Sequence, residues 1–207
     1  MIPSELLIEK GATVKKVESA EVIFHENSPS NFYYQVVSGR VRICNFLADG
    51  KEVLHKVVCA GEGFGEVAIL DNGFHVATAI ADKPCTMLKL SSSAFMEILS
   101  DYHSIMLLVT QRIARELRFK LFMTKMICSY SPEEILIHLL NKLNDENKLI
   151  CGECHRLMLT RQQLANMTGL RVETIIRAMK NLEKEEKLSI IKGKVFIPTY
   201  CTGKVEG

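Results

Sequence analysis

The 207-residue sequence contains no long hydrophobic run, and this absence sets the first limit on what the chain can be. No apolar stretch approaches the roughly 20 residues that a membrane-spanning helix needs. The amino terminus also lacks the basic region followed by an apolar core that marks a secretory signal. We therefore expect a soluble, cytoplasmic protein with no membrane partner.

Cysteine is present, but without the spacing of a disulfide framework. The chain has seven cysteines, an odd number, whereas small secreted domains carry even numbers at regular spacings. This distribution favours a reducing compartment. Cys59 and Cys85 lie in apolar β-type surroundings, so we expect both to be small core residues.

A strong excess of one charge is also missing. The formal net charge is +2, from 26 Lys+Arg and 24 Asp+Glu, and the surplus lies after residue 130. A balance this even does not by itself indicate nucleic-acid binding, so any DNA affinity must come from local placement of charge. Length and apolar content suit one large or two modest cores.

The first 100 residues are typical of a β-domain. Short β-type runs at 32–37, 40–46 and 52–59 alternate with turns predicted at Ser38–Gly39 and at Asp49–Gly50. Several such strands in succession predict an antiparallel β-roll of jelly-roll type. With the helices that follow, the fold class is α+β, and residues 1–100 form the predicted sensor domain.

A short helix from about Ser92 and then a long helix, over 101–129, are predicted next. One stripe of the long helix repeats at alternating steps of three and four, the pattern of a seam with a partner helix. A second apolar face (Leu108, Phe119, Phe122, Met126) would pack on the chain itself. Two faces to bury favour a homodimer over a stripe that packs only on the β-roll. The seam residues are Leu107, Thr110, Ala114, Leu117, Leu121, Thr124 and Cys128.

Residues 159–177 carry the most informative pattern of the chain. Thr160 followed by Gln163 is a capping box that starts a helix, and Gly169 permits the left-handed backbone that ends it. This pattern predicts a helix-turn-helix, in preference to an ordinary surface helix pair. Its apolar face comprises Leu164, Leu170, Ile175 and Met179, and its outward face Arg171, Glu173, Thr174, Arg177 and Lys180.

The flanks of this motif complete a domain. Ser131 followed by Pro132 restarts a helix with a serine cap, which predicts a junction at about 128–131. A final hairpin turning at Lys192–Gly193 follows the two motif helices. A helix-turn-helix followed by a hairpin is a winged helix, predicted over residues 130–207.

Each of the three segments carries a recognisable set of residues. They are Gly39, Gly50 and Gly61, Gly-Phe-Gly-Glu at 63–66, Arg-Ile-Ala-Arg-Glu-Leu at 112–117, and Val-Glu-Thr-Ile-Ile-Arg at 172–177. In this order they resemble the CRP/FNR family of bacterial transcription regulators over nearly the whole chain. The resemblance implies a non-enzymatic homodimer that binds double-stranded DNA at a two-fold symmetric operator and contacts RNA polymerase. The β-roll would bias the recognition helices through the long helix.

The resemblance also implies which residues contact DNA. Glu173 and Arg177 match the pair that reads a G·C base pair in a TGA-containing half-site, where arginine donates to guanine and glutamate accepts from cytosine. Val172 is as in the FNR branch, but Ile176 replaces a serine and offers only an apolar contact to thymine. The implied phosphate contacts are Arg161, Arg171, Thr174, Lys180 and, on the wing, Lys192 and Lys194, where solvated charges are an equal alternative.

The cyclic-nucleotide members of the family bind their ligand through a short sequence motif, the phosphate-binding cassette. This chain matches only the first residues of that cassette. Gly65 and Glu66 match its start, but the phosphate-binding arginine falls on Val76 and the hydroxyl residue on Ala77. A valine leaves the buried phosphate charge unpaired, at a cost of several kcal/mol. We therefore expect an unidentified small-molecule effector rather than cyclic AMP, and assign no cofactor.

Two neighbouring features bear on the same expectation. The family's adenine-contacting hydroxyls fall near Lys120 and Leu121 on the long helix, so they are missing as well. His75 directly precedes Val76 and could become cationic, but we expect it to be a surface histidine in a loop.

Redox or haem sensing is the alternative function. An FNR-type iron–sulphur cluster is not expected, because that branch binds it through cysteines near the amino terminus. The first cysteine of this chain is Cys44, in a predicted strand. The string from Cys151 through Cys154 to His155 has the spacing of a haem attachment site. We interpret Gly152–Glu153 as a two-residue turn that sets the two cysteines on opposite strands. Structural cysteines are favoured there, with a redox pair or a metal site left open.

A metal-dependent β-roll enzyme of cupin type is a third alternative. It needs a His-x-His cluster on the roll. His25, His55 and His75 are instead scattered singly along the chain, so this alternative is disfavoured.

Overall fold

In the computed structural model, which describes residues 2–198, the chain folds into two units, Met1–Leu117 and Arg118–Gly207. The boundary falls inside the long helix. The first unit is mainly antiparallel sheet and the second mainly helix. The predicted α+β fold class is therefore confirmed.

The first unit is an antiparallel β-roll with short helices. Its elements are α1 (Ser4–Glu9), β1 (Thr13–Val17), β2 (Val22–Phe24), β3 (Phe32–Phe46), β4 (Glu52–Cys59), β5 (Gly63–Phe64), α2 (Glu66–Leu70), β6 (Thr78–Ser91) and α3 (Ser92–Asp101). The strands form one sheet in the order β1-β6-β3-β4, with β2 paired to β6 and β5 paired to β3. One buried cluster is formed by side chains of the strands β1 to β6, and a second includes the inward side chains of α1 and α3.

The turn predicted at Ser38 and Gly39 is wrong, because residues 32–46 form one strand. The pairing of β3 with β6 continues on both sides of these residues and shifts register there, which is a β-bulge. Gly39 has a φ of +91°, and a Cβ atom at this position would lie 2.2 Å from the carbonyl oxygen of Pro84. Only glycine fits this bulge. The turn at Asp49–Gly50 is confirmed.

The long helix α4 runs from His103 to Ser129. In the first unit its inward face begins with Ile105, which is buried with α3, and continues with the partly buried Val109. The expectation that Leu108 packs inward is wrong, since 45% of it is exposed. Met126 is buried, and Phe119 and Phe122 are half-buried.

The second unit is a winged helix-turn-helix. Its elements are α5 (Pro132–Asp145), α6 (Arg161–Thr168), α7 (Val172–Lys184), β7 (Ser189–Ile191) and β8 (Lys194–Phe196). Its core consists of fully buried leucines of α5 and the inward faces of the two motif helices, α6 and α7. The Asn181 side-chain amide donates to Glu133 at 2.8 Å and ties α7 to α5.

No helix in residues 2–198 is both long enough and apolar enough to cross a bilayer.

Candidate functional site

The helix-turn-helix is held by the local interactions that the sequence predicts. The Thr160 hydroxyl accepts from the Gln163 backbone N–H, and the Gln163 side chain accepts from the Thr160 N–H, both at 3.0 Å. Gly169 ends α6 with a φ of +75°. Because α7 starts at Val172, the two helices are joined by only three residues, which fixes their crossing.

Helix α7 separates a buried face from a charged one. Ile175 and Met179 are at most 1% exposed. Glu173, Arg177 and Lys180 lie exposed on the other side. Ile176 is 38% exposed on that side, and Val172 and Thr174 are half-buried beside it. The periodicity of 3.6 residues per turn thus places the predicted base-reading residues on one accessible face.

Glu173 and Arg177 stand one helical turn apart at the amino-terminal end of α7. Within residues 2–198 neither side chain takes part in a hydrogen bond or an ion pair. The Glu173 carboxylate lies in the first turn, where the helix dipole favours a negative charge. Both charged groups are therefore available to an external partner.

Four exposed cationic residues accompany the recognition helix and the wing. Arg171 is exposed immediately before α7 and Lys180 is exposed on α7. In the wing, Lys192 lies in the turn and Lys194 begins β8, and both are exposed. The Arg161 guanidinium donates to the Gly193 carbonyl at 2.9 Å. This bond connects the start of α6 to the wing and leaves further guanidinium donors open.

The β-roll contains a small cavity of about 90 Å³. Four of the effector residues expected from sequence line it. The other two, Lys120 and Leu121, lie exposed on α4 within the second unit. The lining residues all belong to the first unit: Phe24, Ile43, Lys56, Phe64, Gly65, Glu66, Val67, Ala68, His75, Val76, Ala77 and Glu116.

A partly buried ion network forms one wall of this cavity. Arg112 of α4 donates to Glu66 at 2.6 Å, to the Gly63 carbonyl, and to Glu116 at 3.2 Å. Lys56 of β4 forms an ion pair with Glu116. Two carboxylates and two cations thus neutralise one another inside the roll.

The network shifts the proton affinities of its members. Burial alone would lower the pKa of Arg112, but the carboxylates of Glu66 and Glu116 outweigh it and raise that pKa. Burial alone would raise the pKa of Glu116, but Lys56 and Arg112 outweigh it and lower that pKa. Arg112 and Glu116 are therefore both charged near neutral pH.

One acceptor of the network is left open. Glu66 is only 3% exposed, and its Oε2 atom is buried without a hydrogen-bond partner among the described residues. Since a buried unpaired carboxylate oxygen is costly, the cavity wall favours a ligand that donates a hydrogen bond there.

Comparison with known proteins places both units. Residues 14–102 match the model of the cyclic nucleotide-binding domain, and residues 135–199 match the Crp-like helix-turn-helix domain. The cAMP-activated global transcriptional regulator CRP of Haemophilus influenzae is 23% identical over 184 residues, which cover 88% of this chain and 82% of the relative.

Solved structures agree in fold. FixK2 from Bradyrhizobium japonicum superimposes with a TM-score of 0.76 at 22% identity, covering 90% of this chain and 92% of that one. A CooA mutant from Carboxydothermus hydrogenoformans superimposes with a TM-score of 0.78 at 18% identity, covering 95% of this chain and 87% of that one.

The chain belongs to the CRP/FNR family of transcription regulators. Its winged helix-turn-helix is a DNA-binding domain, and its β-roll is of the cyclic nucleotide-binding type.

The regulator departs from expectation at His75. This residue is buried, 5% exposed, and its ring stacks on Phe24 with centroids 3.7 Å apart. Burial lowers the pKa of His75, which favours the neutral imidazole over a cation at this wall of the cavity. The prediction of a surface histidine is wrong, because a residue outside the strands gave no periodic signal of burial.

Three charged residues of the cavity, Lys56, Arg112 and Glu116, were not predicted from the sequence. Arg112 and Glu116 are spaced i,i+4 on α4, one turn beyond the inward-facing Val109. A charged pair that continues an inward apolar face is the signal that could have identified them. Lys56 offers no such signal, because it depends on a contact between residues 60 positions apart.

The turn at Cys151 is longer than predicted. The Cys151 N–H donates to the Arg156 carbonyl, and the His155 N–H donates to the Cys151 carbonyl, both at 2.9 Å. Residues 152–155 therefore form the turn, and Cys154 lies within it rather than on an opposite strand. Among residues 2–198 no three His, Cys, Asp or Glu side chains come close enough to hold a metal ion.

Cys85 is buried, as expected of a core residue, whereas Cys59 is only half-buried. The expectation for Cys59 is wrong, because it lies at the end of β4, where the strand leaves the core.

Proposed function

We propose that this regulator is a homodimer that reads a two-fold symmetric operator through Glu173 and Arg177, and that its β-roll responds to a small molecule other than a cyclic nucleotide. We place it in the cytoplasm, acting with RNA polymerase. The observation that carries the proposal is the exposed and unpaired state of Glu173 and Arg177 on the accessible face of α7.

The side chains of these two residues match the edges of a G·C base pair. A guanidinium donates two parallel hydrogen bonds to guanine O6 and N7, and a carboxylate accepts from cytosine N4. Their separation of one turn lets both side chains enter the same short stretch of the major groove. Val172 and Ile176 add apolar contacts, and Ile176 suits a thymine methyl group.

The dimer would form along the exposed stripe of α4. Leu117 is 58% exposed and Leu121 is 63% exposed, and the two lie one helical turn apart on the same stripe. Thr110, Ala114 and Thr124 extend the stripe and are exposed too. A second copy packed on this stripe would bury it and hold two recognition helices about one DNA turn, ~34 Å, apart.

Three features of the cavity argue against a cyclic nucleotide. Its volume of about 90 Å³ is well below the roughly 300 Å³ at which ordinary ligand pockets begin. Val76 and Ala77 supply no charge for a phosphate. Arg112, the cation beside Glu66, is already neutralised by two carboxylates. A smaller ligand that donates a hydrogen bond to Glu66 fits better.

Binding-site selection with the variant Arg177→Ala tests whether α7 reads the base pair. The variant should lose preference at one base pair, worth roughly 1–3 kcal/mol, and keep its salt-dependent background affinity. Lys180→Ala is the matched control, because loss of a phosphate contact weakens binding to all sequences and lowers the salt slope by about one unit. If Arg177→Ala selects the wild-type site with the same strictness, α7 does not read that base pair.

Calorimetry with cyclic AMP and cyclic GMP tests the effector. We expect no binding in the micromolar range, because neither Val76 nor Ala77 can pair the phosphate charge. Micromolar binding of either nucleotide would contradict this half of the proposal and leave the DNA-reading half standing.

A further inference from the structure

A turn in the winged-helix unit carries two cysteines that neither the recognition helix nor the cavity uses. The turn closes a short ladder in which Met158 donates to the Leu149 carbonyl at 2.7 Å and Cys151 to the Arg156 carbonyl at 2.9 Å. The i→i+4 bond from His155 to Cys151 makes residues 151–155 a single helical turn. Cys151 and Cys154 therefore project from the same side of one turn.

Three hydrogen-bond donors of the same turn face the sulphur of Cys151. It accepts from the backbone N–H groups of Cys154 and Glu153 and from the Cys154 thiol, and these bonds lower the pKa of the Cys151 thiol. Two other cysteines behave in the opposite way. Burial raises the pKa of Cys44 to about 11, and burial also raises the pKa of Cys85.

Both thiols of the turn can be reached from solvent. Cys154 is exposed and Cys151 is half-exposed. A reactive cysteine needs an accessible sulphur, donors that stabilise its thiolate and, for a reversible reaction, a second cysteine within bonding reach. Among the described cysteines, Cys151 and Cys154 combine all three.

We propose that Cys151 and Cys154 form a reversible dithiol–disulfide site that reacts with low-molecular-weight disulfides. The Cys151 thiolate attacks one sulphur of the oxidant, forming a mixed disulfide and releasing one small thiol. The Cys154 thiolate then attacks the Cys151 sulphur and releases the second small thiol. The two protein thiols are oxidised to one disulfide, the small disulfide is reduced to two thiols, and the two thiol protons end on those products.

The site lies beside the wing. Leu157, which follows the turn, donates to the Val195 carbonyl of β8 at 2.9 Å, and Ile197 donates to the His155 carbonyl at 3.1 Å. The modification would thus be placed on the unit that carries the recognition helix, independently of what the β-roll binds.

Peptide mass analysis of the full-length regulator tests the proposal. The protein is treated with oxidised glutathione, its remaining thiols are alkylated, and it is digested with trypsin. The tryptic peptide 149–156 contains Cys151, Cys154 and no other cysteine. We expect this peptide to be unalkylated and two hydrogens lighter than its reduced form, and to recover both alkylation sites after treatment with dithiothreitol. Cys128, which is exposed and far in the sequence from every other cysteine, is the internal control.

The variant Cys154→Ser sharpens the test. It should hold glutathione on Cys151 as a trapped mixed disulfide, formed faster than the one on Cys128. The proposal is overturned if peptide 149–156 of the wild type stays fully alkylated, if it carries one glutathione on each sulphur, or if it is joined to a second chain. It is equally overturned if Cys151 in the variant reacts no faster than Cys128.

Discussion

The recognition helix and the β-roll cavity both place a glutamate near an arginine, but in opposite states. Glu173 and Arg177 are exposed and make no ion pair with the described part of the chain. Glu66 is buried, and Arg112 already binds it at 2.6 Å. In water an unpaired charge costs little, whereas in the roll each charge needs a counter-charge from the chain itself.

This difference determines what each region can bind. DNA can meet the α7 pair without displacing anything but water and counterions. A ligand of the cavity must either fit beside the Glu66–Arg112 pair or compete with it. An anionic ligand would place a further negative charge next to Glu66 and Glu116, which supports the proposal that the effector is not a cyclic nucleotide.

Separating the two copies of the proposed dimer would test whether a single recognition helix is enough to bind the operator. Leu117→Glu places a charge on the exposed stripe of α4 and should yield a monomer by light scattering. Since one half-site loses the avidity of two, operator affinity should fall by about 10²–10⁴-fold, while the circular dichroism of the β-roll stays unchanged.

Gln111→Glu is the matched control, because it adds the same charge to the same helix at an exposed position outside the stripe. It should remain dimeric. A Leu117→Glu protein that also stays dimeric would move the interface away from this stripe.

Breaking the buried pair should cost stability rather than DNA reading. Arg112→Met leaves Glu66 and Glu116 without their shared cation, and loss of one partner of a buried ion pair typically costs about 3–5 kcal/mol. Urea denaturation followed by tyrosine fluorescence measures it. The chain has no tryptophan, and the buried Tyr33 and Tyr34 report on the roll.

The double variant Arg112→Met with Glu66→Gln is the decisive comparison. Removing the unpaired charge of Glu66 should recover a large part of the free energy of unfolding that Arg112→Met loses. If the double variant is as unstable as Arg112→Met, the ion pair is not what the arginine contributes to the roll.

The same contrast explains what could be predicted from the sequence. The capping box of Thr160 with Gln163, the left-handed Gly169 and the buried face of α7 are set by residues within a few positions of one another. The bond between Glu66 and Arg112 joins residues 46 positions apart, and no local pattern encodes it. Ser38–Gly39 has the composition of a turn, yet the pairing of β3 with β6 overrides it as a bulge.

The smallest expected effect concerns acid stability and the pair formed by Lys56 and Glu116. The pKa of Glu116 is held below its ordinary value of 4.5, against the effect of burial, chiefly by Lys56 and then by Arg112. A carboxylate with a lowered pKa in the folded protein stabilises it fully above the ordinary value, and that contribution is lost as the pH falls through the lowered pKa. The β-roll should therefore lose part of its free energy of unfolding below pH 4.5.

Lys56→Gln isolates the contribution of this pair from that of the other carboxylates. Both side chains are partly exposed, 19% for Lys56 and 29% for Glu116, so solvent screening should limit the difference from wild type to about 1 kcal/mol at pH 7. The difference should shrink as the pH is lowered from 6 toward 3, because Glu116 becomes protonated in both proteins. Urea midpoints measured across this range give the curve. A difference that stays constant with pH would mean that Lys56 contributes packing rather than charge to the cavity wall.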